Sequence, residues 1–444
     1  MVSKKQKFKT VILVLILAVL IVGGVFGISY YKGGVTFPWQ VTGNQVEEST
    51  NEKESDEVEK EAVVENVKPD EPEATEETES DKATEESTAS TDEADEEESE
   101  DTTVAKTGNE LDYYGPLHVE DGKLVASDGS AAQLVGVSTH GLSWFPQFAT
   151  AESIESLRTN LGINVIRLAV YTSDYNGYCV ADDDIRNVIK ENIDEAVQAA
   201  TDNDMYVIID WHILNDGDPN EYKSEAIQFF GELVRKYDNN ENVIYEICNE
   251  PNGDTTWSDI KRYAKEVIPV IRNVDKDALI LVGTPEWSSD LDSALSDPLD
   301  YDNIMYTYHF YAGSHKASAR KNLVNALEEG LPVFISEYGF TSADGDGEIN
   351  TREADEWVSI INEYGLSSCI WNLSNKDEAS ALINADCDKT TDFEYDDFTE
   401  HGQYFFKLLA ENYFSTDGTA DETEDVSEPV TSNKTNTSNK KAKN

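Results

Sequence analysis

NVIRLAVY at residues 164–171 is followed by the amphipathic stretch DIRNVIKENIDEAVQAATDN at 184–203 and then by MYVIIDWH at 205–212. The first and last runs are short and rich in β-branched or other apolar side chains, as expected for strands buried on both faces. The middle run spaces its apolar residues at helical intervals. Strand, helix and strand in this order predict a βαβ unit with two parallel strands.

The same alternation continues along the chain and yields eight strand candidates. They are QLVGVSTH (133–140), NVIRLAVY (164–171), MYVIIDWH (205–212), NVIYEICNE (242–250), ALILVGTP (278–285), NIMYTYHFY (303–311), PVFISEYG (332–339) and SSCIWNLS (367–374). Helical stretches separate most of them, for example EAIQFFGELVRKY at 225–237. This count predicts an α/β fold with a single closed (β/α)8 TIM barrel, which we place at residues 111–414. PLHVEDGKLVASDGS at 116–130 predicts a hairpin that closes the bottom of the barrel.

The charge of the chain excludes one large class of partners. The sequence contains 34 basic and 89 acidic residues, which gives a formal net charge of −55. This charge repels nucleic acid phosphates and anionic lipid head groups alike. We therefore expect no nucleic-acid binding.

The N-terminal residues have the pattern of an export signal or a membrane anchor. Residues 1–10 contain four lysines, and residues 11–29 form an uninterrupted apolar run. This run is long enough to cross a hydrocarbon core, and no small-residue cleavage site follows it. We expect residues 1–10 to stay cytoplasmic and 11–29 to be a transmembrane signal-anchor at the cell membrane, with the rest of the chain extracellular. Cleavage of this segment would make the protein secreted instead.

Two low-complexity arms flank the predicted barrel. Residues 46–101 contain 26 acidic residues and 4 lysines with few large apolar side chains. Such a composition cannot bury enough surface to fold, so residues 30–110 are expected to be a disordered acidic linker. The polar stretch at residues 415–444 is expected to be a disordered tail.

The four cysteines show no metal-ligand spacing. Cys248 and Cys369 lie in apolar runs and are expected to be buried thiols. A bridge between Cys179 and Cys387 remains an alternative in an oxidising compartment.

Charged residues at the predicted strand ends are the strongest functional signal. In a parallel barrel the carboxyl ends of the strands form the active face. Arg167 interrupts an apolar strand, so a carboxylate must neutralise it, and Glu337 is the expected partner. The arginine should lower the pKa of Glu337 and keep it ionised, as a nucleophile requires, although a purely structural ion pair is the alternative. Glu250 should have a raised pKa and serve as general acid and base.

Histidines and aromatic residues accompany these charges. His309 and Tyr311 share one face of a strand and are expected to hydrogen-bond the site carboxylates or the substrate. Trp144, Trp287 and Trp371 offer flat surfaces on which sugar rings can stack, with loop packing as the alternative role. The histidines lie on different strands without a metal motif, and no cofactor fingerprint is present. We expect neither a metal nor a cofactor.

With these residues identified, the stretch from about Tyr114 to Ser380 resembles the bacterial endoglucanases of glycoside hydrolase family 5. The matching blocks, in the family's order, are STHGLSW, VIRLAVYT, YVIIDWHILNDG, VIYEICNEPNG, GTPEWSSD, YHFYAG, FISEYG and WNLSNK. The resemblance implies retention of configuration with Glu250 as acid/base and Glu337 as nucleophile. It also implies that Arg167 and Tyr311 orient the nucleophile and that Asn249 contacts the sugar 2-hydroxyl. The implied substrate-binding residues are His140, Trp144, Tyr171, His212, Trp287, Trp371 and Lys376, with His309 lining the same subsite as His140 and His212.

The sequence departs from the family pattern at two places, and the second of them concerns the distal substrate-binding subsites and not the chemistry. Tyr338 follows the nucleophile where tryptophan is common, and the loop after Lys376 lacks the usual glycine.

The sequence therefore predicts a monomeric endo-β-1,4-glucanase that hydrolyses cellulose at the cell surface. A β-mannanase, lichenase or xyloglucanase with the same mechanism is one alternative. A surface glucan-binding protein without catalysis is the other, and the presence of both glutamates argues against it.

Overall fold

The computed structural model describes residues 111–411. The predicted anchor at 11–29, the whole acidic linker at 30–110 and the tail at 415–444 lie outside the described residues. Within 111–411, no helix combines the length and the apolar character needed to cross a bilayer.

Eight parallel strands close into a barrel and confirm the predicted fold. The barrel strands are β3 (Val135–Thr139), β4 (Val165–Tyr171), β5 (Tyr206–His212), β6 (Val243–Glu246), β7 (Ile280–Val282), β8 (Ile304–Tyr311), β9 (Val333–Gly339) and β10 (Ser368–Leu373). Each strand pairs with the next along the chain, and β10 pairs with β3 to complete the circle. All eight predicted strands are present, although β6 and β7 are several residues shorter than expected because their last residues bend into the active-face loops.

Helices on the outside of the barrel follow most of the strands. They are α1 (Ala151–Ser156), α2 (Asp183–Asp202), α3 (Lys223–Lys236), α4 (Trp257–Arg272), α5 (Leu291–Ser296), α6 (Ala317–Glu328), α7 (Thr351–Tyr364) and α8 (Glu400–Ala410). Short 3-10 segments occur at Pro146–Phe148 and Tyr395–Asp397, and a π-helical turn spans Leu157–Leu161. Side-chain caps define several helix starts. At α4, Thr256 and Asp259 form a reciprocal capping box.

The lower half of the barrel interior is an apolar core. Its buried side chains come from the amino-terminal parts of the strands and include Val165, Ile208 and Ile244. The hairpin of β1 (Leu117–Glu120) and β2 (Lys123–Ala126) adds Leu117 and Leu124 to this cluster. The predicted hairpin therefore exists and covers the bottom of the barrel.

One step further along the same strands, the inward-facing positions become charged. Inward positions alternate along a strand, so Val165 is followed by Arg167, Ile208 by Asp210 and Ile244 by Glu246. Asp210 and Glu246 are register partners on neighbouring strands. The barrel thus carries an apolar lower layer and a charged upper layer that forms the floor of the active face.

Strand β9 contains a bulge at the active face. Thr307 pairs with Phe334 and His309 with Glu337, so one intervening residue of β8 lies opposite two of β9. The pairing with β10 shows the same extra residue between Ile335 and Tyr338. A bulge re-aims side chains next to an active site, so two adjacent residues of β9 reach the same cluster.

All four cysteines are free thiols, and Cys248 and Cys369 are buried as expected. The alternative of a Cys179–Cys387 bridge is not realised.

Candidate active site

Arg167 organises the floor of the site and is completely buried. Its guanidinium forms a two-point ion pair with Glu246, through Nε at 2.7 Å and Nη2 at 3.0 Å. Nη2 also lies 3.0 Å from Asp210 and donates to Asn249 Oδ1 at 2.7 Å. Nη1 donates to Glu337 at 3.2 Å and to Ser138 Oγ at 3.2 Å. Every N–H of the guanidinium is therefore occupied.

The expected pairing of Arg167 with Glu337 exists, but it is only one of three carboxylate contacts. Glu246 and Asp210 were not considered as partners in the sequence analysis. Both interrupt apolar strands, VIYE and YVIIDWH, in the same way that Arg167 interrupts its own. The signal that identified the arginine would therefore have identified its main partners.

Glu337 is held by two donors. Arg167 donates to its Oε2, and the Tyr311 hydroxyl donates to its Oε1 at 2.7 Å. Burial and the nearby Glu250 raise the pKa of Glu337, while His309 and Arg167 lower it. The net direction is upward, so the expectation of a lowered pKa is wrong. Burial and the charge of Glu250 together outweigh the effect of the arginine.

Glu250 is buried at the end of the turn that follows β6, with its carboxyl group 2.9 Å from His309 Nδ1. The pKa of Glu250 is raised to about 8, because burial, with smaller contributions from the charges of Asp210 and Glu246, outweighs the opposing charge of Arg167. The predicted upward direction is correct. At neutral pH Glu250 therefore holds a proton that it can donate.

A chain of hydrogen bonds connects Glu250 to Glu246 and determines where the protons lie. Ser336 donates to Glu246 Oε1 at 2.8 Å, so its hydroxyl proton is committed. His309 Nε2, 2.9 Å from Ser336 Oγ, must then be the donor. Burial lowers the pKa of His309 to about 4, so the ring is neutral and Nδ1 is an acceptor. Nδ1 accepts a hydrogen bond from the carboxyl O–H of Glu250, which favours the protonated form of that residue.

Glu250 and Glu337 face each other across the site. One oxygen of each, together with a ring nitrogen of His309, lies within 4.8 Å of the others. Two carboxyl groups roughly 5 to 5.5 Å apart are typical of retaining glycosidases, whereas inverting enzymes need roughly 6.5 to 9.5 Å to admit a water. The pair therefore suits nucleophilic attack by one residue and proton transfer by the other.

Asn249 has a fixed orientation beside this pair. Its Oδ1 accepts from Arg167, and its Nδ2 donates to the Ile213 carbonyl at 3.0 Å. A longer contact of 3.3 Å joins Nδ2 to His212 Nε2. His212 Nδ1 is 2.6 Å from Asp210, and burial together with the charge of Arg167 lowers the pKa of His212. The long contact leaves Asn249 one donor that a sugar hydroxyl can engage.

An aromatic cluster occupies one side of the active face. Tyr171 lies between Trp144 and His212, with ring centroids 4.5 and 4.1 Å away. Trp371 stacks on His212 at 5.3 Å and lies 5.1 Å from His140. These predicted substrate-binding residues thus form one continuous wall.

Lys376 extends this wall through a polar contact. Its Nζ lies 3.2 Å from His140 Nε2 and 2.5 Å from Glu378. Glu378 also accepts from Asn372 at 2.8 Å and from Ser380 at 3.0 Å. The sequence analysis did not identify Glu378.

Trp287 lies on the opposite side, on a left-handed turn. Glu286, Trp287 and Ser288 have φ values of 57°, 56° and 54°, a conformation that costs roughly 1 to 2 kcal/mol per residue. Trp287 N donates to the Pro251 carbonyl at 3.0 Å, and Ser288 Oγ donates to the Asn249 carbonyl at 2.6 Å. These bonds hold the strained turn against the loop that carries Glu250.

The turn leaves the Trp287 side chain 53% exposed beside a recess of about 290 Å³. Glu250, His309, Tyr311 and His315 also line the recess. The two sides of the active face thus each contain an indole available to a ligand.

The donor atoms of Glu250, His309 and Glu337 are close enough to hold a metal ion. Each of the three groups already has a hydrogen-bond partner, and Arg167 places a positive charge against Glu337. Chemistry by the two carboxyl groups requires no ion, and the expectation of a metal-free site stays a prediction.

Comparison with known proteins gives the family. The family model described as Cellulase (glycosyl hydrolase family 5) matches residues 125–377. The chain belongs to glycosyl hydrolase family 5. This family 5 chain is 61% identical over 412 residues to Endoglucanase A of Butyrivibrio fibrisolvens, covering 93% of this chain and 95% of that protein. It is 44% identical over 298 residues to an endoglucanase of Clostridium saccharobutylicum, covering 66% of this chain and 65% of that protein.

Solved structures of family 5 enzymes have the same fold. A variant of the catalytic domain of Thermobifida fusca endoglucanase Cel5A, in complex with cellotetraose, is 34% identical with a TM-score of 0.63. The match covers 67% of this chain and 97% of that one. The cellulase Cel5C_n is 39% identical with a TM-score of 0.63, covering 67% and 93% of the two chains. The resemblance to family 5 is therefore confirmed, and with it the assignment as a glycoside hydrolase.

Proposed function

We propose that this family 5 enzyme is an endo-β-1,4-glucanase that hydrolyses internal bonds of cellulose with Glu337 as nucleophile and Glu250 as acid and base. The observation that carries the proposal is the pair of facing carboxyl groups within 4.8 Å. One is held by a guanidinium and a phenol, and the pKa of the other is raised to about 8. The relatives are endoglucanases, and retention is general in the family.

In the first step, an ionised Glu337 oxygen attacks the anomeric carbon of the sugar. The glycosidic C–O bond breaks as the proton of Glu250 passes to the departing oxygen. A glycosyl ester on Glu337 and a sugar with a free hydroxyl result. Glu250 is then ionised.

In the second step, Glu250 removes a proton from a water molecule that attacks the same anomeric carbon. The ester bond breaks, Glu337 leaves as a carboxylate, and Glu250 is protonated again. Two displacements at one carbon retain its configuration. Both steps use only groups of the chain, the substrate and water.

The neighbouring residues position these groups. Arg167 and Tyr311 fix the two oxygens of Glu337, so one lone pair points at the sugar. Asn249 exchanges its long contact with His212 for the 2-hydroxyl of the reacting sugar. Such a bond strengthens as charge develops in the transition state.

The aromatic residues bind the rest of the polymer. Trp144, Tyr171 and Trp371, with His140, His212 and Lys376, receive the sugars on the non-reducing side of the cut. Trp287 receives those on the reducing side, because it borders the recess beside the proton donor Glu250. Binding surfaces on both sides favour cleavage within a polymer.

We also propose that the monomeric enzyme is displayed outside the cell, anchored by residues 11–29 through the acidic linker at 30–110. The lysines before the apolar run support this orientation. The Butyrivibrio relative aligns over 412 residues, a length greater than that of the barrel. Cell fractionation tests the proposal. Activity that sediments with the membranes and is released when protease is added to intact cells supports display. Activity found in the culture medium instead indicates a cleaved signal.

The substrate is tested with a panel of polysaccharides at equal mass. Carboxymethylcellulose, barley glucan, mannan and xyloglucan are incubated with the enzyme, and new reducing ends are measured. We expect release from carboxymethylcellulose together with a rapid fall in viscosity, since cuts within a chain shorten it quickly. Activity on mannan alone would refute the proposed substrate, and xyloglucan alone would indicate the related specificity.

A further inference from the structure

Tyr175 is an aromatic residue that the fold does not need. It is 82% exposed, the highest value among the exposed large apolar side chains of residues 111–411. It lies at the tip of the loop after β4, and its ring contributes little to the core. One exposed aromatic side chain is ordinary by itself, whereas an exposed ring that continues a row of aromatic residues beside a cleft indicates a binding surface.

The position of Tyr175 continues the aromatic wall outward. Trp144 Nε1 donates to the Tyr175 carbonyl at 2.8 Å, and the Trp144 ring lies 4.5 Å from Tyr171. Exposure rises along this series, from 7% at Trp371 and Tyr171 through the half-buried Trp144 to Tyr175. The wall therefore extends from the floor of the cleft to its rim.

The loop that carries Tyr175 is held at its base and its tip. Tyr178 N donates to the Tyr171 carbonyl at 2.7 Å, and Gly177 N donates to the Asp174 carbonyl at 2.7 Å. The Thr172 hydroxyl donates to Asp216 at 2.7 Å, which ties the loop to the one after β5. Asn215 donates to the Asp174 carboxylate across the same junction. A loop with these bonds presents its aromatic ring at low entropic cost on binding.

We propose that Tyr175 forms an additional sugar-binding subsite, next to Trp144, for a glucosyl unit on the non-reducing side of the cut. The proposal rests on the proposed function. An aromatic ring can stack on the apolar face of a pyranose, and the exposed ring of Tyr175 is free to do so. A longer glucan chain therefore gains a contact that a shorter one cannot reach.

Aryl β-glycosides of increasing length test this subsite. The aryl group occupies the reducing side, so each added glucose extends the substrate toward Tyr175. The kcat/KM for nitrophenol release is measured for Tyr175→Ala and wild type on the cellobioside, cellotrioside and cellotetraoside. We expect no change on the cellobioside and a loss of about five- to tenfold on the two longer substrates, the size of one aromatic contact.

Two further variants serve as controls. Tyr175→Phe keeps the ring and should behave as wild type. Tyr395→Ala removes a tyrosine that is 52% exposed and whose ring lies against Phe406 of α8, and this variant should be unaffected at every length. Equal losses at all lengths, or none at any length, would overturn the subsite while leaving the proposed function intact. A wild-type enzyme that cleaves none of the glycosides would instead refute the proposed function itself.

Discussion

The lower and upper layers of the barrel interior are built on the same strands but have opposite chemistry. Val165, Ile208 and Ile244 form the lower layer, and the next inward positions carry Arg167, Asp210 and Glu246. All six side chains are almost inaccessible to water. The lower layer gains free energy from apolar burial. In the upper layer the Coulomb attraction of the ion pairs roughly offsets the desolvation of the charges.

On each of these strands, the residue that contributes to stability and the residue that contributes to the reaction are successive inward-facing positions. The upper layer keeps two more carboxyl groups, Glu250 and Glu337, beside a single buried arginine. Burial raises the pKa of Asp210 to about 7 and, with the charges of Asp210 and Glu246 adding to it, raises the pKa of Glu250 to about 8. We therefore expect substitutions in the upper layer to change the reaction and those in the lower layer to change unfolding.

The largest effect is expected for Glu337→Gln. The amide keeps the shape of the side chain and can still accept one of the bonds from Arg167 and Tyr311, but it cannot attack carbon. Hydrolysis of carboxymethylcellulose should fall by roughly 10⁴-fold or more, as when a nucleophile is removed from another enzyme. Calorimetric binding of cellotetraose should persist.

The midpoint of thermal unfolding of this variant should change little, because Arg167 retains Asp210 and Glu246. Hydrolysis at the wild-type rate would support the alternative of a site whose glutamates are structural. Wild-type protein that binds without hydrolysing would support the alternative of a glucan-binding protein.

The next effect is expected for Glu250→Ala, which removes the proton donor. Loss of general acid catalysis costs roughly 10²- to 10⁴-fold. We expect a loss near 10³-fold on cellotetraose and a much smaller one in the first step on dinitrophenyl cellobioside, whose leaving group needs little protonation. Pre-steady-state release of dinitrophenol isolates that step. Equal losses on both substrates would contradict the assigned role.

The next expected effect is on stability and not on the reaction, and it concerns Ile244→Ala in the lower layer. Ile244 is 2% exposed, and truncation of such a side chain typically costs about 2 to 5 kcal/mol. Urea denaturation should show this loss, while kcat/KM per folded molecule stays within about twofold of wild type because the apolar layer makes no contact with the sugar. Val188→Ala, at a position that is 49% exposed on α2, is the matched control and should change stability by less than about 0.5 kcal/mol. A large loss of activity in folded Ile244→Ala would show that the two layers are coupled.

Much of this arrangement follows from the sequence. The alternation of short apolar runs and amphipathic stretches predicts the barrel, because continuous apolar strands need cover on both faces. The charge inside NVIRLAVY predicts a buried carboxylate partner, since an isolated arginine cannot be buried, but it does not predict that three carboxylates surround Arg167. The stacking roles of Trp144, Trp287 and Trp371 stay predictions, although each borders the active face.

Other features depend on contacts that strand periodicity cannot give. The net direction of the Glu337 pKa depends on the burial of its carboxyl group and on its closeness to Glu250, and both require the three-dimensional structure. Ser336 and Glu337 are adjacent, so simple alternation would place them on opposite faces of β9. The bulge brings both into the site, which is why Ser336 was not identified before the structure.

The smallest expected effect is a change in the pH profile of Ser336→Ala. Without Ser336, His309 loses the acceptor for its Nε2 proton and can carry that proton on Nδ1, where it donates to ionised Glu250. Stabilising the ionised form lowers the pKa of Glu250. Wild-type kcat/KM should fall as pH rises through about 8, because Glu250 loses the proton that it must donate. In the variant this alkaline limb should move to lower pH by about one unit.

The matched control is Ser138→Ala, another buried hydroxyl of the upper layer, which accepts from Arg167 at 3.2 Å. It has no bond to His309, so its alkaline limb should stay near that of wild type. Rates at low pH should be similar in both variants, since Glu250 is protonated there whichever ring nitrogen of His309 carries the proton. An equal displacement in both variants would mean that the charge balance around Arg167, and not the chain through Ser336 and His309, determines the pKa of Glu250.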